Sequence, residues 1–173
     1  MEKERLITLR DGSSGIVRPI TPDDRYAFVE GFESLSSESR FRRFFFNKKT
    51  LTEADLERLS NPDGVTHLAY GVAAIEEDGT QTPISVGHCF RDAASPDRAE
   101  VAIVTADLWQ GNGAGFELLQ SLKAASIAEG IDRWIAVLLA DNRGMLKLLE
   151  KVAGPPTLLS DEGGFLEAEY QIN

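Results

Sequence analysis

The sequence predicts an α/β (α+β) domain built on a mixed, mostly antiparallel central sheet with helices on both faces. Three observations lead there. Residues 66 to 76 and 83 to 91 are strand-like runs around the turn residues Glu77-Asp78-Gly79-Thr80, and a third run, 98 to 106, completes an antiparallel meander. That third run then feeds a helix and another strand, the pattern of a strand-helix-strand unit. Finally, 173 residues with 42% hydrophobic and 27% charged content can bury a substantial core, so a single domain over 1–173 is expected.

The elements follow in order. Ile7-Thr8-Leu9-Arg10 and Ile16-Val17-Arg18-Pro19-Ile20 read as a hairpin around Asp11-Gly12, which tolerates the positive φ of tight turns. Thr21-Pro22-Asp23-Asp24 is a helix start: a cap, a proline suited to the first position, and acids facing the positive end of the helix dipole. Further helices are expected at 37–46 and 53–60, the second capped by Thr52 with Asp55 three residues on. After the meander comes Gln110-Gly111-Asn112-Gly113-Ala114-Gly115, then a helix over 113–129 ended by Gly130. Trp134 to Ala140 is continuously apolar, as in a strand covered on both faces. Asn142 caps a last helix, in which Met145, Leu148, Leu149 and Val152 share one face, and a final strand covers 165–172.

A formal net charge of -10 argues against binding nucleic acid, whose affinity comes largely from Lys and Arg, and fits a cationic or amine substrate better. Cys89 is the only cysteine, which excludes an intrachain disulfide and a Cys-rich metal site. It also lacks a recognisable base partner for nucleophilic work. His67 and His88 are too few and too isolated for a metal site. His88 reads as a strand residue, with a second base as its outside alternative. Met1-Glu2-Lys3-Glu4-Arg5 is charged where a signal peptide is apolar, and no apolar run nears the ~20 residues of a membrane span. The expectation is a cytoplasmic protein that avoids membranes. Arg40-Phe41-Arg42-Arg43-Phe44-Phe45-Phe46 interleaves cations and rings, but an amphipathic helix burying Phe41, Phe44 and Phe45 explains it better than nucleic-acid stacking.

A glycine run between a strand and a helix makes an anion site, because the first helical N–H groups lack partners and glycine lets the backbone approach. Plain turn chemistry is the other reading. Two phosphate motifs fail on spacing: Phe116-Glu117 follows Gly115 where a Walker loop needs Lys-Ser/Thr, and Phe116 stands where the dinucleotide fingerprint needs its third glycine.

Gln110 to Gly115 resembles the Q/R-x-x-G-x-G/A acyl-CoA signature of the GCN5-related N-acetyltransferases (GNAT). Within that superfamily, Gly15 to Asp24, Leu35 to Phe41, Ala99 to Ala102 and Asp141 to Met145 are similar, in order, to the bacterial Pat-like protein-lysine acetyltransferases, over about 16–153. The resemblance implies acetyl-CoA as co-substrate without a metal, held by the backbone of Gln110, Gly111, Asn112, Gly113, Ala114 and Gly115. It also implies backbone contacts to pantetheine from Ile103, Val104 and Thr105, and a pantetheine or water contact from Asn142, which is by itself a helix cap.

Transfer to an amine requires it neutral, and a free lysine has a pKa of about 10.4, so a base is needed. Glu100, in the strand Ala99-Glu100-Val101-Ala102, reads either as a solvent-facing glutamate or as a carboxylate made basic by apolar neighbours. The resemblance makes it the general base. The family often places a tyrosine on the last helix as general acid, and here Leu149 stands at that position. Three functions stay open: N-acetyltransferase for a protein lysine, acetyltransferase for a small amine, and a non-catalytic acyl-CoA-binding module.

Overall fold

A computed structural model of the chain describes residues 4–173, so Met1 to Lys3, part of the charged start, lie outside the described residues. The first hairpin pairs β1 (Arg5–Thr8) with β2 (Ser14–Pro19), two residues earlier than expected. Leu9 leaves the ladder to form the turn, donating its N–H to Ser13 O (2.9 Å). Thr21 does cap, and the Asp24 carboxylate answers it in a reciprocal box, while Arg18 clasps the same carboxylate at 2.6 Å. Pro22–Asp24 is a 3-10 turn, and α1 (Arg25–Ser34) begins after it.

Two short helices follow, α2 (Ser37–Phe44) and α3 (Glu53–Ser60). The expected burial of α2 is only partly right. Phe44 and Phe45 are half-buried, but Phe41 is 42% exposed, because the helix lies along the rim of a cleft.

The meander is β3 (His67–Ile75), β4 (Gln81–Arg91) and β5 (Arg98–Thr105). Next come α4 (Ala114–Ala128), β6 (Arg133–Leu139), α5 (Arg143–Ala153), β7 (Leu158–Glu162) and β8 (Phe165–Gln171). One eight-stranded sheet orders them β1-β2-β3-β4-β5-β6-β8-β7, antiparallel throughout except for β5 against β6. Among the described residues no helix is long and apolar enough to cross a membrane.

Strand alternation distributes the helices. On β4, Gly87 and Cys89 face α4, while His88 and Phe90 face α1 and α3. A Cβ on Gly87 would stand 2.7 Å from Leu122 Cδ1 and 2.8 Å from Ile103 Cγ2, so only glycine lets α4 sit this close to the sheet. The core lies between them, with Leu118, Leu119, Leu122 and Trp134 fully buried. Each such leucine contributes roughly 1.5–3 kcal/mol. Ser126 on α4 satisfies the Trp134 indole N–H (3.1 Å) and meets Cys89 Sγ (3.4 Å).

β6 is not covered on both faces as expected. Trp134, Ala136 and Leu138 are buried, whereas Ile135, Val137 and Leu139 are only half-buried, because the second face opens toward the cleft. The apolar pattern of the sequence does not predict β7, since its five residues are exposed and carry no apolar period. Its signal is the pair Gly163-Gly164, both at positive φ, which forms the two-residue turn into β8.

Candidate functional site

The site begins where two strands part. β5 and β6 pair only through Arg98↔Arg133, Ala99↔Trp134 and Glu100↔Ile135, although β5 runs on to Thr105 and β6 to Leu139. Beyond that point the β6-facing backbone edge of β5 has no strand partner, while its other edge stays paired to β4 through Thr105. A cleft of about 580 Å³ opens in the gap. Nothing in the sequence signals this divergence, because each strand reads as regular.

Glu100 sits at the apex, the last residue of β5 bonded into both neighbours. Its flanking residues Ala99 and Val101 point into the core on the other side, so they do not surround the carboxylate. Glu100 is exposed and faces the cleft. The expected apolar surround is therefore corrected: strand alternation places the apolar neighbours behind the carboxylate.

Ile103, Val104 and Thr105 line the cleft along the free edge. Ile103 is buried, and Ser85 Oγ holds Val104 O (3.0 Å) and Thr105 Oγ1 (2.8 Å) from the β4 side. A bulge in β4 leaves Ile84 without a ladder partner, and Ile84 O accepts the Ala106 N–H (2.8 Å), which turns the chain out of β5.

The glycine segment closes this end. Gln110 donates its carboxamide to Thr105 O (3.2 Å) and Ser39 Oγ (3.3 Å), and so ties the loop to β5 and α2. The Asn112 side chain turns away from the cleft and exchanges two hydrogen bonds with Asp11. Gly111 and Gly113 take φ of 76° and 94°, the left-handed region that favours glycine. A Cβ on Gly115 would meet Leu148 Cδ2 at 3.0 Å, so this glycine allows α4 and α5 to approach. Ala114 is fully buried.

The helix starts differ in an informative way. Ser36, Thr52 and Asn142 cap α2, α3 and α5 with side-chain oxygens. α4 has no side-chain cap, and the N–H groups of Ala114 and Gly115 have no acceptor among the described residues. The one helix that opens on the cleft from the end of β5 keeps its donors free. Arg10, Arg143 and Lys151 also line the cleft, with Arg10 bonded to Gly111 O (3.0 Å) and Lys151 lying over the Phe116 ring. An anion here would meet free donors and cations together. Spacing arguments missed these cations, because Arg10 comes from the first hairpin and Arg143 and Lys151 from α5, far apart in the chain.

Asn142 accepts the Met145 N–H (3.3 Å) and lines the cleft, so the cap and a ligand contact are compatible. Leu149 is 2% exposed and packs into the core. None of Tyr26, Tyr70 and Tyr170 lines the cleft.

The histidines are not isolated. His67 Nε2 and His88 Nδ1 lie 2.9 Å apart, both buried, with His67 stacked on Phe90. They stand on the strand pair β3–β4, a contact that a separation of 21 residues hides in the sequence. Burial pushes His67 down to about 4 and His88 well below the usual imidazole range. His88 lines a separate, mostly apolar cavity beneath α1 and not the cleft. Burial likewise pushes the Cys89 thiol up to about 11, which leaves it inert at neutral pH. Among the described residues no group of three or more His, Cys, Asp or Glu could hold a metal ion.

An antiparallel meander, a splayed parallel pair and an uncapped helix after a glycine loop define a domain of the GNAT class. The family comparison agrees: residues 16–153 match the acetyltransferase (GNAT) domain, and the chain belongs to that family. It is 30% identical over 147 residues to acetyltransferase Pat of Mycolicibacterium smegmatis, which covers 84% of this chain and 43% of that protein. It is 28% identical over 141 residues to an acetyltransferase of Pseudomonas aeruginosa, covering 82% and 75%. The crystal structure of the GNAT domain of S. lividans PAT superposes with a TM-score of 0.83 at 32% identity, covering 97% of this chain and 96% of that one. The chain thus spans less than half the length of the M. smegmatis relative.

Proposed function

We propose that the chain is an N-acetyltransferase that moves the acetyl group of acetyl-CoA to a primary amine, with Glu100 as general base. The observation that carries this reading is the position of Glu100 at the apex of the β5–β6 split, with the uncapped start of α4 at the far end of the same strand.

In this reading the backbone N–H groups of Gly111 to Gly115 hold the CoA diphosphate, helped by Arg10 and Lys151. The free edge of Ile103 to Thr105 takes pantetheine as an added strand would be taken. Asn142 adds a polar contact while it caps α5. CoA supplies an activated acyl group as its thioester. Glu100 accepts the proton of the acceptor ammonium, directly or through water, and its exposure keeps it in reach of a solvated amine. N–H groups on the unpaired β5 edge polarise the thioester carbonyl. A thiolate of pKa near 8.5 leaves without a strong acid, so Leu149 at the tyrosine position is compatible with turnover. Attack is direct, since Cys89 is buried with a raised pKa.

The likeness to Pat supports a protein lysine as acceptor, with a small amine as the narrower alternative. Leu149 and the lack of any tyrosine on the cleft favour the second reading, an acyl-CoA-binding module without turnover. Incubation with acetyl-CoA and a panel of amines and lysine-bearing proteins, with free thiol measured, separates them. Acceptor-dependent thiol release is the expected result, and CoA binding without release would establish the module.

A further inference from the structure

Most arginines of this chain are bonded to a carboxylate or to a backbone carbonyl. Arg5 pairs with Glu117, Arg18 with Asp24, Arg25 with Glu53, Arg98 with Asp92 and Arg133 with Asp97. Arg43, which lines the cleft with Glu100, and the exposed Arg58 are exceptions. Arg43, on α2, is half-buried, lines the cleft with Glu100, and has its guanidinium 5.0 Å from the Phe44 ring centre. Arg58, on α3, lies 4.3 Å over the ring of Phe90, and Phe90 is the cross-strand neighbour of Glu100. Among the described residues neither guanidinium has a hydrogen bond or an ion pair.

The surroundings make that notable. Burial pushes Arg43 down to about 10, with Glu100 opposing and Arg58 adding to the effect, so the two guanidinia feel each other and Arg43 stays charged at neutral pH. For Arg43 a partly desolvated charge without a hydrogen-bonded partner is unfavourable, whereas Arg58 is exposed to solvent. In a chain of net charge -10 carboxylates are plentiful, yet none bonds to these two groups. Guanidinium is the side chain best matched to a carboxylate, which it holds through two parallel N–H donors.

We propose that Arg43 and Arg58 form an anion subsite that recognises a carboxylate carried close to the reacting amine of the acceptor. The inference rests on the N-acetyltransferase reading and names its substrate class: an amine accompanied by a carboxylate. The amine meets Glu100, and the carboxylate meets the guanidinium on the α2–α3 side. The carboxylate has two sources, the α-carboxylate of a free amino acid or an acidic side chain beside a lysine in a peptide.

Matched acceptors test it. Thiol release is measured with a lysine peptide carrying Glu or Asp next to the lysine, and with its Gln or Asn counterpart. A free amino acid and its amide form the second pair. The expected result is a preference of about 10-fold or more in kcat/KM for the acidic member of at least one pair, as a charge-assisted hydrogen bond implies. Arg43→Gln and Arg58→Gln should each reduce that preference, the double variant should bring it close to one, and Arg43→Lys should retain part of it. A response in the peptide pair alone identifies an acid-flanked lysine, and one in the amino-acid pair alone identifies a small acceptor. Equal rates for acid and amide would overturn the proposal. So would a loss in Arg43→Gln that is proportional for both members, the mark of an effect on Glu100 or on folding. Calorimetric binding of the two peptides to the CoA-saturated protein gives a readout independent of turnover. A discrimination there that Arg43→Gln removes keeps the subsite even if no acceptor is acetylated, and no discrimination rejects it.

Discussion

At the end of the cleft where β5 runs into α4, the walls are mainly backbone: free N–H groups, an unpaired strand edge and glycines at positive φ. At the end beneath α2, the walls are side chains, among them Glu100, Arg43 and Phe45. Under the proposed function, the difference follows from what each end recognises. A backbone cradle would bind what every acyl-CoA shares and tolerate change at side chains that point elsewhere, such as Asn112. An acceptor end made of side chains could differ between members of a family at little cost to the fold where its residues, such as Arg43 and Phe45, lie on or just past the short helix α2.

Four experiments can break or sharpen that contrast. The largest effect belongs to the acceptor end. Glu100→Gln should lower kcat/KM for the acceptor by about 10²–10⁴-fold, with CoA affinity by calorimetry little changed. Equal activity at every pH would remove Glu100 as the base.

The buried His67–His88 pair, beneath the acceptor side, predicts a large effect on stability with acid. An unfolded imidazole takes up a proton near pH 6.5, but folded His67 does so only near 4. The stability is therefore fully present above 6.5 and is lost as the pH falls through 4, by up to about 3 kcal/mol for this group. Urea midpoints from pH 7 to 4 should fall more steeply for the protein than for His67→Gln. Parallel curves would contradict it.

At the cofactor end, Gly113→Val places a branched side chain at φ 94°, a strain of about 1–3 kcal/mol. CoA affinity should weaken about 10-fold or more as the start of α4 shifts, while the sheet core and far-UV circular dichroism persist. Unchanged affinity would mean that the loop does not hold the diphosphate.

The smallest effect is at the rim. Arg42 bridges α2 to Asp141 (3.0 Å) across the cleft, with Asp141 largely exposed. Asp141→Asn should cost under about 1 kcal/mol in thermal unfolding and less at high salt. A larger loss would make this bridge a structural part of the acceptor end.

The same division governs what can be read from the chain before it folds. The strand-helix-strand unit, the capping residues Thr21, Thr52 and Asn142, and the glycine segment were all visible, because each rests on short-range geometry: period, cap chemistry or a φ that favours glycine. The hairpin shifted by two residues since turn chemistry marks its centre and not its ladder. β7 escaped because an exposed strand has no apolar alternation to reveal it, although Gly163-Gly164 marked its turn. The burial assigned to Phe41 failed because amphipathic spacing does not say that a cleft runs beside the helix.

The sequence by itself determined the class of fold and the glycine loop that starts α4, since a glycine run between strand and helix carries its geometry locally. Tertiary structure alone decided that β5 and β6 part after Glu100, that this carboxylate is exposed at the apex, that His67 meets His88, and that Arg43 shares the cleft with Glu100 without an ion pair. Those arrangements depend on contacts between residues far apart in the chain, and strand divergence reflects how whole layers pack, which no local pattern encodes.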